Sequence, residues 1–208
     1  MTDCYFEPAK ELEIEVKIRK SRFISHIRIP RSEEEAREKL KKIQLSHKQA
    51  THNCWAYRIG YESVMEHFSD DGEPAGTAGK PILGALLRND VTNCIIVITR
   101  YFGGTKLGVR GLIEAYGNCA EEALNAAGRR RRRPRYTYEI TMPYDMTGHL
   151  QRLLAACETD DNYTNIAYEA EVTALCRVPQ VYAEVMNDTL DEWLHTGKII
   201  SWARTESE

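Results

Sequence analysis

The sequence predicts an α+β protein built from two domains, and three observations lead to that prediction. The length of 208 residues suits two domains of ordinary size better than one. Hydrophobic residues make up 42% of the chain and charged residues 28%, which is typical of a folded globular protein. Segments with strand-like alternation also stand between segments with helical spacing. The predicted boundaries are 1–128 for an N-terminal domain, 129–135 for a basic linker and 136–208 for a C-terminal domain.

The N-terminal domain begins with a predicted β-hairpin. Hydrophobic and polar residues alternate at 12–18 and again at 23–29, on either side of Lys20 and Ser21. Ser32, three residues before Glu35, has the signature of a helix N-cap, and a helix is predicted from there to about residue 47. The same spacings predict strands at 52–59 and 63–68, a short helix from Pro81, a buried strand at 94–99 and a long helix closed by Gly128.

The C-terminal domain has a recognisable order of elements. Its hydrophobic pattern predicts strand, helix, strand, strand, helix and strand between residues 136 and 202. That β-α-β-β-α-β order is the ferredoxin-like plan.

Several protein classes are disfavoured by composition. The first residues lack the basic and apolar regions of a signal peptide, and no segment is long and apolar enough for a bilayer, so we expect a cytoplasmic protein without a membrane partner. Six cysteines occur without a CxxC pair, which predicts reduced thiols and not a disulfide framework.

The charges are unevenly distributed along the chain. Residues 1–128 contain 18 basic and 18 acidic residues, residues 129–135 contain six arginines, and residues 136–208 contain 4 basic and 13 acidic residues. A polyanion would therefore be attracted to the first domain or to the arginine run and repelled by the second domain.

The first segment that could carry chemistry is the glycine-rich loop at 69–81. Its later part precedes a helix, whose free N–H groups favour anions, so it supplies three candidate anion-binding residues, Thr77, Gly79 and Lys80. Its acidic residues are candidates for a magnesium site or for acid–base chemistry, namely Asp70, Asp71 and Glu73. A tight turn with a helix cap explains the same pattern without any ligand.

The second segment is the loop that follows the buried strand. Cations there could contact phosphates while aromatic rings stack on bases, as in sites for single-stranded nucleic acids. The candidates are Arg100, Tyr101, Phe102, Gly103, Gly104, Lys106 and Arg110. In the alternative interpretation the aromatic rings belong to the core and the glycines are required by a tight turn.

The arginine run has two interpretations. It could neutralise several phosphates, or it could be a solvated linker. Its members are Arg129, Arg130, Arg131, Arg132 and Arg133.

Metal and nucleophile motifs are weak in this sequence. The triplet His52-Asn-Cys54 has no second cysteine pair to complete a zinc site. No catalytic residue, metal or cofactor is predicted.

Two long motifs resemble a known family. SDDGEPAGTAGKPIL at 69–83 and VITRYFGGTKLG at 97–108 resemble the signature of the YigZ/IMPACT family, and the segments at 21–24 and 50–56 fit it too. The resemblance implies that the first domain has the β/α fold of domain IV of elongation factor G. It also implies that the second resembles the ferredoxin-like module of bacterial members, and that eukaryotic relatives regulate translation.

We therefore expect a binding or regulatory protein, not an enzyme, whose basic loops engage RNA, the ribosome or a translation-associated protein. Two alternatives stay open from the sequence. One is a magnesium-dependent enzyme or binder acting on a nucleotide or other small phosphate. The other is a protein-interaction module in translation or stress regulation.

Overall fold

A five-stranded antiparallel sheet forms the centre of the first compact unit, Tyr5–Arg132, in the computed structural model, which describes residues 4–159, 162 and 164–206. In spatial order its strands are β2 (Leu12–Ile18), β3 (Ser21–Arg28), β6 (Cys94–Tyr101), β4 (His52–Ile59) and β5 (Met65–Ser69). The continuous apolar strand β6 lies in the middle and is buried almost along its whole length. The hairpin and the central strand predicted from periodicity are thus confirmed.

Three helices cover the two faces of this sheet. They are α1 (Glu33–Ser46), α2 (Gly79–Arg88) and α3 (Gly108–Ala127). The first contributes Ile43 to a small core with Tyr57 and Val97, while the other two pack on the opposite face against Phe23 and Ile98. Alternate residues of each strand therefore face different helices.

The cap of α1 follows the sequence prediction. The hydroxyl of Ser32 accepts a hydrogen bond from the Glu35 backbone N–H at 3.2 Å. This contact satisfies one of the free N–H groups at the helix N-terminus and explains where the helix begins.

The arginine run is not a linker. Strand β7 (Arg129–Arg132) pairs antiparallel with β1 (Tyr5–Pro8), a strand that the sequence did not predict. The side chains of Arg130 and Arg132 donate to the fully buried carboxylate of Glu7 at 2.7 Å and 2.6 Å. Arg130 and Arg132 therefore neutralise a buried carboxylate, and the backbone of the run pairs with β1.

The second unit begins at Arg133 and has the predicted ferredoxin-like plan. Its elements are β8 (Arg135–Met142), α4 (Thr147–Ala156), β9 (Thr164–Tyr168), β10 (Val172–Pro179), α5 (Ala183–His195) and β11 (Ser201–Glu206). The sheet order is β11-β8-β10-β9, with neighbouring strands antiparallel. The α+β fold class is therefore confirmed.

Two further expectations can be compared with the described residues. All six cysteines are free thiols, and five of them are buried. Among the residues that the structure describes, each helix is too short or too polar to cross a bilayer.

Candidate functional site

One end of the five-stranded sheet brings both predicted loops together. The register places Arg22, at the start of β3, beside Tyr101, and His52, at the start of β4, beside Arg100. The loop before α2 reaches the same end, because the Cys54 thiol donates to the backbone carbonyl of Asp70 at 3.0 Å. The two glycine-rich segments are therefore neighbours in the fold.

Asp70 organises the first loop and closes the N-terminus of α2. Its carboxylate accepts hydrogen bonds from the backbone N–H groups of Gly76, Ala78 and Gly79 at 2.8–2.9 Å. Burial alone raises the pKa of Asp70, but these N–H groups outweigh burial and lower it. The helix N-terminus that was predicted to receive an external anion thus already holds an internal carboxylate.

The other predicted residues of this loop have different environments. Thr77 is 2% exposed and donates to the carbonyl of Pro74 at 2.7 Å, so its hydroxyl is turned inward. Gly79 is buried, whereas Lys80 lies exposed in the first turn of α2. The carboxylate of Asp71 accepts from the Asn53 backbone N–H at 2.6 Å. Of the predicted anion-binding set in this loop, Lys80 alone projects into solvent.

Arg100 has a different role from the predicted phosphate contact. Its side chain is 5% exposed, and it donates to the Glu73 carboxylate at 2.6 Å. The same carboxylate oxygen accepts from the Tyr116 hydroxyl at 2.9 Å. A buried carboxylate without a cation would cost several kcal/mol, so Arg100 neutralises Glu73 and is not available to a ligand. Glu73 is correspondingly not free to act as a metal ligand or a base.

A serine connects this buried pair to the second loop. The hydroxyl of Ser21 accepts from Arg100 at 3.2 Å and from the backbone N–H of Gly103 at 3.4 Å. The Arg100 guanidinium also lies 5.4 Å from the ring centre of Phe102. Through these contacts the buried polar network holds the base of the loop that follows β6.

Gly103 is required by a close backbone approach. A Cβ atom built on Gly103 would lie 1.6 Å from the carbonyl oxygen of Lys20, a contact that no side chain permits. Next along the chain, Gly104 has a φ of 85°, which also favours glycine. The β2–β3 turn and the loop after β6 are therefore pressed together, and Arg19 in the turn donates to the Lys106 carbonyl at 3.4 Å.

This contact creates an exposed surface of mixed character. The ring of Phe102 is 44% exposed, and Arg19, Lys20 and Lys106 are exposed around the same backbone contact. We call these four residues the turn–loop surface. It presents an aromatic ring beside three cations, and within the described part of the chain no acidic side chain forms a hydrogen bond or an ion pair with those cations.

The remaining predicted residues lie outside this surface. Tyr101 points toward α1, where its hydroxyl lies 3.0 Å from His47 Nδ1. Arg110 is in the first turn of α3, its side chain 93% exposed, and pairs with Glu114 at 3.1 Å.

The arginine run is largely occupied by internal contacts. Arg130 and Arg132 hold Glu7, Arg129 lies 4.6 Å over the Phe6 ring, and Arg133 donates to Glu158 at 2.9 Å. Arg131 stands opposite Phe6 in the β1–β7 pairing and is exposed. A polyanion would have to compete with these partners.

Comparison with known proteins identifies the family. Residues 19–124 match the model of the Impact N-terminal domain, a range that includes the entire turn–loop surface and its supporting network. The chain belongs to the IMPACT family.

Two curated relatives and one solved structure illustrate the likeness. The family member YvyE of Bacillus subtilis is 47% identical over 128 residues, which is 62% of this chain and 59% of YvyE, less than two thirds of its length. The family member YigZ of Escherichia coli is 35% identical over 85% of this chain and 87% of its own. A crystal structure described as that of a hypothetical protein covers 100% of this chain and 99% of its own, with 30% identity and a TM-score of 0.68.

Sequence reasoning missed part of the site in this IMPACT-family chain. The periodicity assigns Arg19 and Lys20 to a hairpin turn, and Ser21 belongs to a family-like segment without a role of its own. The sequence carries no local signal that would separate these residues from an ordinary polar hairpin turn. Their partner loop lies more than 80 residues away along the chain, as the bond between Gly103 and Ser21 shows, so local patterns could not connect them.

Proposed function

We propose that this protein binds single-stranded RNA through the turn–loop surface, as a non-catalytic regulator associated with translation. The exposed ring of Phe102 beside Arg19, Lys20 and Lys106 is the observation that carries the proposal. Single-stranded nucleic acids are bound by combining base stacking on an aromatic ring with cations that follow the backbone.

The contacts that hold Phe102 support the proposal. Its backbone N–H donates to the Thr51 hydroxyl at 2.9 Å, and the Arg100 guanidinium lies beneath its ring. Contacts that restrict a binding residue before the ligand arrives reduce the free energy spent on ordering it.

The choice of RNA over other polyanions rests on two further arguments. An aromatic ring has no use in binding a sulfated or phosphorylated surface by charge alone, whereas each unpaired base offers a face for stacking. The sequence resemblance to a family whose eukaryotic members regulate translation points to the translation apparatus as the source of that RNA. A translation-associated protein is the competing partner, and it would not need a salt-sensitive phosphate contact.

Fluorescence anisotropy with a labelled single-stranded oligouridine tests this function. Phe102→Ala should weaken binding by roughly 5- to 150-fold, the equivalent of about 1–3 kcal/mol for one stacked base. Its matched control is Phe68→Ala, because Phe68 is 45% exposed on β5 and Phe102 is 44% exposed. The control should bind as the unaltered protein does.

The salt dependence supplies the second measurement. Lys20→Gln together with Lys106→Gln should reduce the slope of log K against log salt by about 1.4, since each phosphate contact on a single strand contributes about 0.7. Equal affinities for Phe102→Ala and Phe68→Ala, or an unchanged salt slope, would refute the proposed surface. Binding of a ribosome-associated protein without RNA, unaffected by these substitutions, would favour the competing partner.

A further inference from the structure

A second group of chemically capable side chains lies on the opposite face of the same sheet. A cavity of about 340 Å³ between β2, β3 and α1 is lined by Glu13, His26 and His47 among others. One ligand atom from each of these three residues lies within 4.8 Å of the others. None of them belongs to the turn–loop surface, so a ligand bound by this cluster would use different side chains from RNA bound there.

The hydrogen bonds of His26 determine which of its nitrogens carries the proton. The hydroxyl of Thr99 has one hydrogen, and it donates that hydrogen to the side-chain oxygen of Asn53 at 2.8 Å. Toward His26 Nε2, 3.2 Å away, the same hydroxyl can therefore only accept. With the Asn53 amide oriented as in the structure, His26 donates from Nε2 and keeps a lone pair on Nδ1.

A carboxylate lies beside that nitrogen. Nδ1 of His26 lies 3.0 Å from Glu13 Oε2, at ion-pair distance, and it is buried without a hydrogen-bond partner. The His26 side chain is 2% exposed, and burial favours its neutral form. Two acceptors in contact repel each other, and a bound cation between them would remove the repulsion.

The second imidazole also has one nitrogen in a hydrogen bond. Nδ1 of His47 lies 3.0 Å from the Tyr101 hydroxyl, and Nε2 can bind a ligand in the tautomer in which Nδ1 carries the proton. The two histidine rings are 5.0 Å apart between centres. In protein metal sites a ligating histidine almost always has its other nitrogen held by a hydrogen-bond partner, as Thr99 and Tyr101 hold these two.

We propose that Glu13, His26 and His47 bind a divalent transition-metal ion of the zinc class. Two imidazoles and one carboxylate form a donor set that zinc accepts, with a fourth position left open. Ligands about 2.0–2.1 Å from a tetrahedral zinc ion lie roughly 3.3 Å apart. His26 and Glu13 are 3.0 Å apart and the three ligand atoms lie within 4.8 Å of one another, so the side chains would draw together around a bound ion.

Other charged side chains also line the cavity. Arg28, Lys39 and Lys42 line it, and Glu11 pairs with Lys39 at 2.9 Å and with Arg28 at 3.8 Å. Water is the ligand that takes the fourth position in many zinc sites with three protein ligands. The nearby cations also mean that affinity for zinc depends strongly on the Glu13 charge.

Metal binding by the full chain is the direct test. After removal of metal with a chelator, calorimetric titration with zinc chloride should show uptake of one ion per chain, and zinc should raise the melting temperature. Cobalt(II) in its place should give the visible absorption of a four-coordinate site. Glu13→Gln and His47→Asn should each weaken zinc binding by at least about tenfold and remove the thermal shift.

Matched controls separate this site from incidental binding. His52→Asn removes a histidine from the same sheet whose Nε2 instead faces Glu73, 3.9 Å away, and it should leave zinc uptake unchanged. Glu13 has a half-exposed side chain, so Glu13→Gln should stay folded, which its melting curve without metal will verify. No zinc uptake by the unaltered chain, or equal uptake by Glu13→Gln, His47→Asn and the unaltered chain, would overturn the proposal.

Discussion

Replacing Glu7 with glutamine should destabilise the first unit by about 3 kcal/mol at neutral pH. Glu7 is fully buried, and its carboxylate accepts hydrogen bonds from Arg31 at 2.5 Å, Arg132 at 2.6 Å and Arg130 at 2.7 Å. Burial by itself raises the pKa of Glu7, but the three arginines outweigh it and lower the pKa from 4.5 to about 2. A difference of that size, at about 1.4 kcal/mol for each pH unit, corresponds to about 3 kcal/mol.

The pKa difference between folded and unfolded Glu7 also decides how the stability of the first unit changes with pH. Because the pKa of Glu7 is lower in the folded chain, the folded state prefers the ionised carboxylate. Its contribution is complete above the unfolded value of 4.5 and is lost as the pH falls from there toward about 2. The stability difference between the unaltered chain and Glu7→Gln should therefore be constant near neutral pH and shrink on acidification.

Urea unfolding at several pH values measures this difference. Trp55 reports on the first unit when Trp193 and Trp202, which belong to the second, are replaced by phenylalanine in all chains compared. Glu15→Gln is the control, because the Glu15 side chain is 43% exposed and pairs with Arg22 at 3.4 Å. An exposed pair of this kind contributes at most about 1 kcal/mol. A loss in Glu7→Gln no larger than in Glu15→Gln, or a difference that persists at low pH, would refute the reasoning.

Two further predictions concern the candidate site. Gly103→Ala places a Cβ atom 1.6 Å from a backbone carbonyl oxygen, so we expect a clear fall in melting temperature, whereas Gly148→Ala, with nothing within 4 Å, should be neutral or stabilising. Glu73→Ala leaves the buried Arg100 charge unpaired and should cost about 3–5 kcal/mol in urea unfolding. The double substitution Glu73→Ala with Arg100→Ala should cost less than the sum of the single ones, and strict additivity would contradict the buried pair.

Much of the architecture was predictable because it depends on local pattern. The alternation at 12–18 shows a strand with one apolar face, and the continuous apolar run around residue 96 shows a strand that is covered on both faces. Both patterns are visible in a few consecutive residues. The N-cap at Ser32 is likewise decided within four residues. These signals suffice for the helices, for the strands of the five-stranded sheet and for the ferredoxin-like second unit, but not for β1 and β7.

The candidate site was predictable in part. The sequence singled out Phe102 and Lys106, which belong to the turn–loop surface, and Gly103, whose backbone packs against Lys20 beside it. It also singled out Arg100, which is buried against Glu73. A strand end with a cation has the same sequence pattern whether the cation meets a ligand or an internal carboxylate.

The sequence by itself determined most of the strands, the helices and the family resemblance, because hydrophobic periodicity and glycine-rich motifs are written in consecutive residues. The pairing of β1 with β7 was not among them. Only the tertiary structure decided which charges are free. Arg130 is separated from Glu7 by 123 positions, and His26 from Thr99 by 73, yet each pair is in contact. Whether a charged side chain is available to a ligand depends on its burial and on its nearest partner. Both are decided when the chain folds.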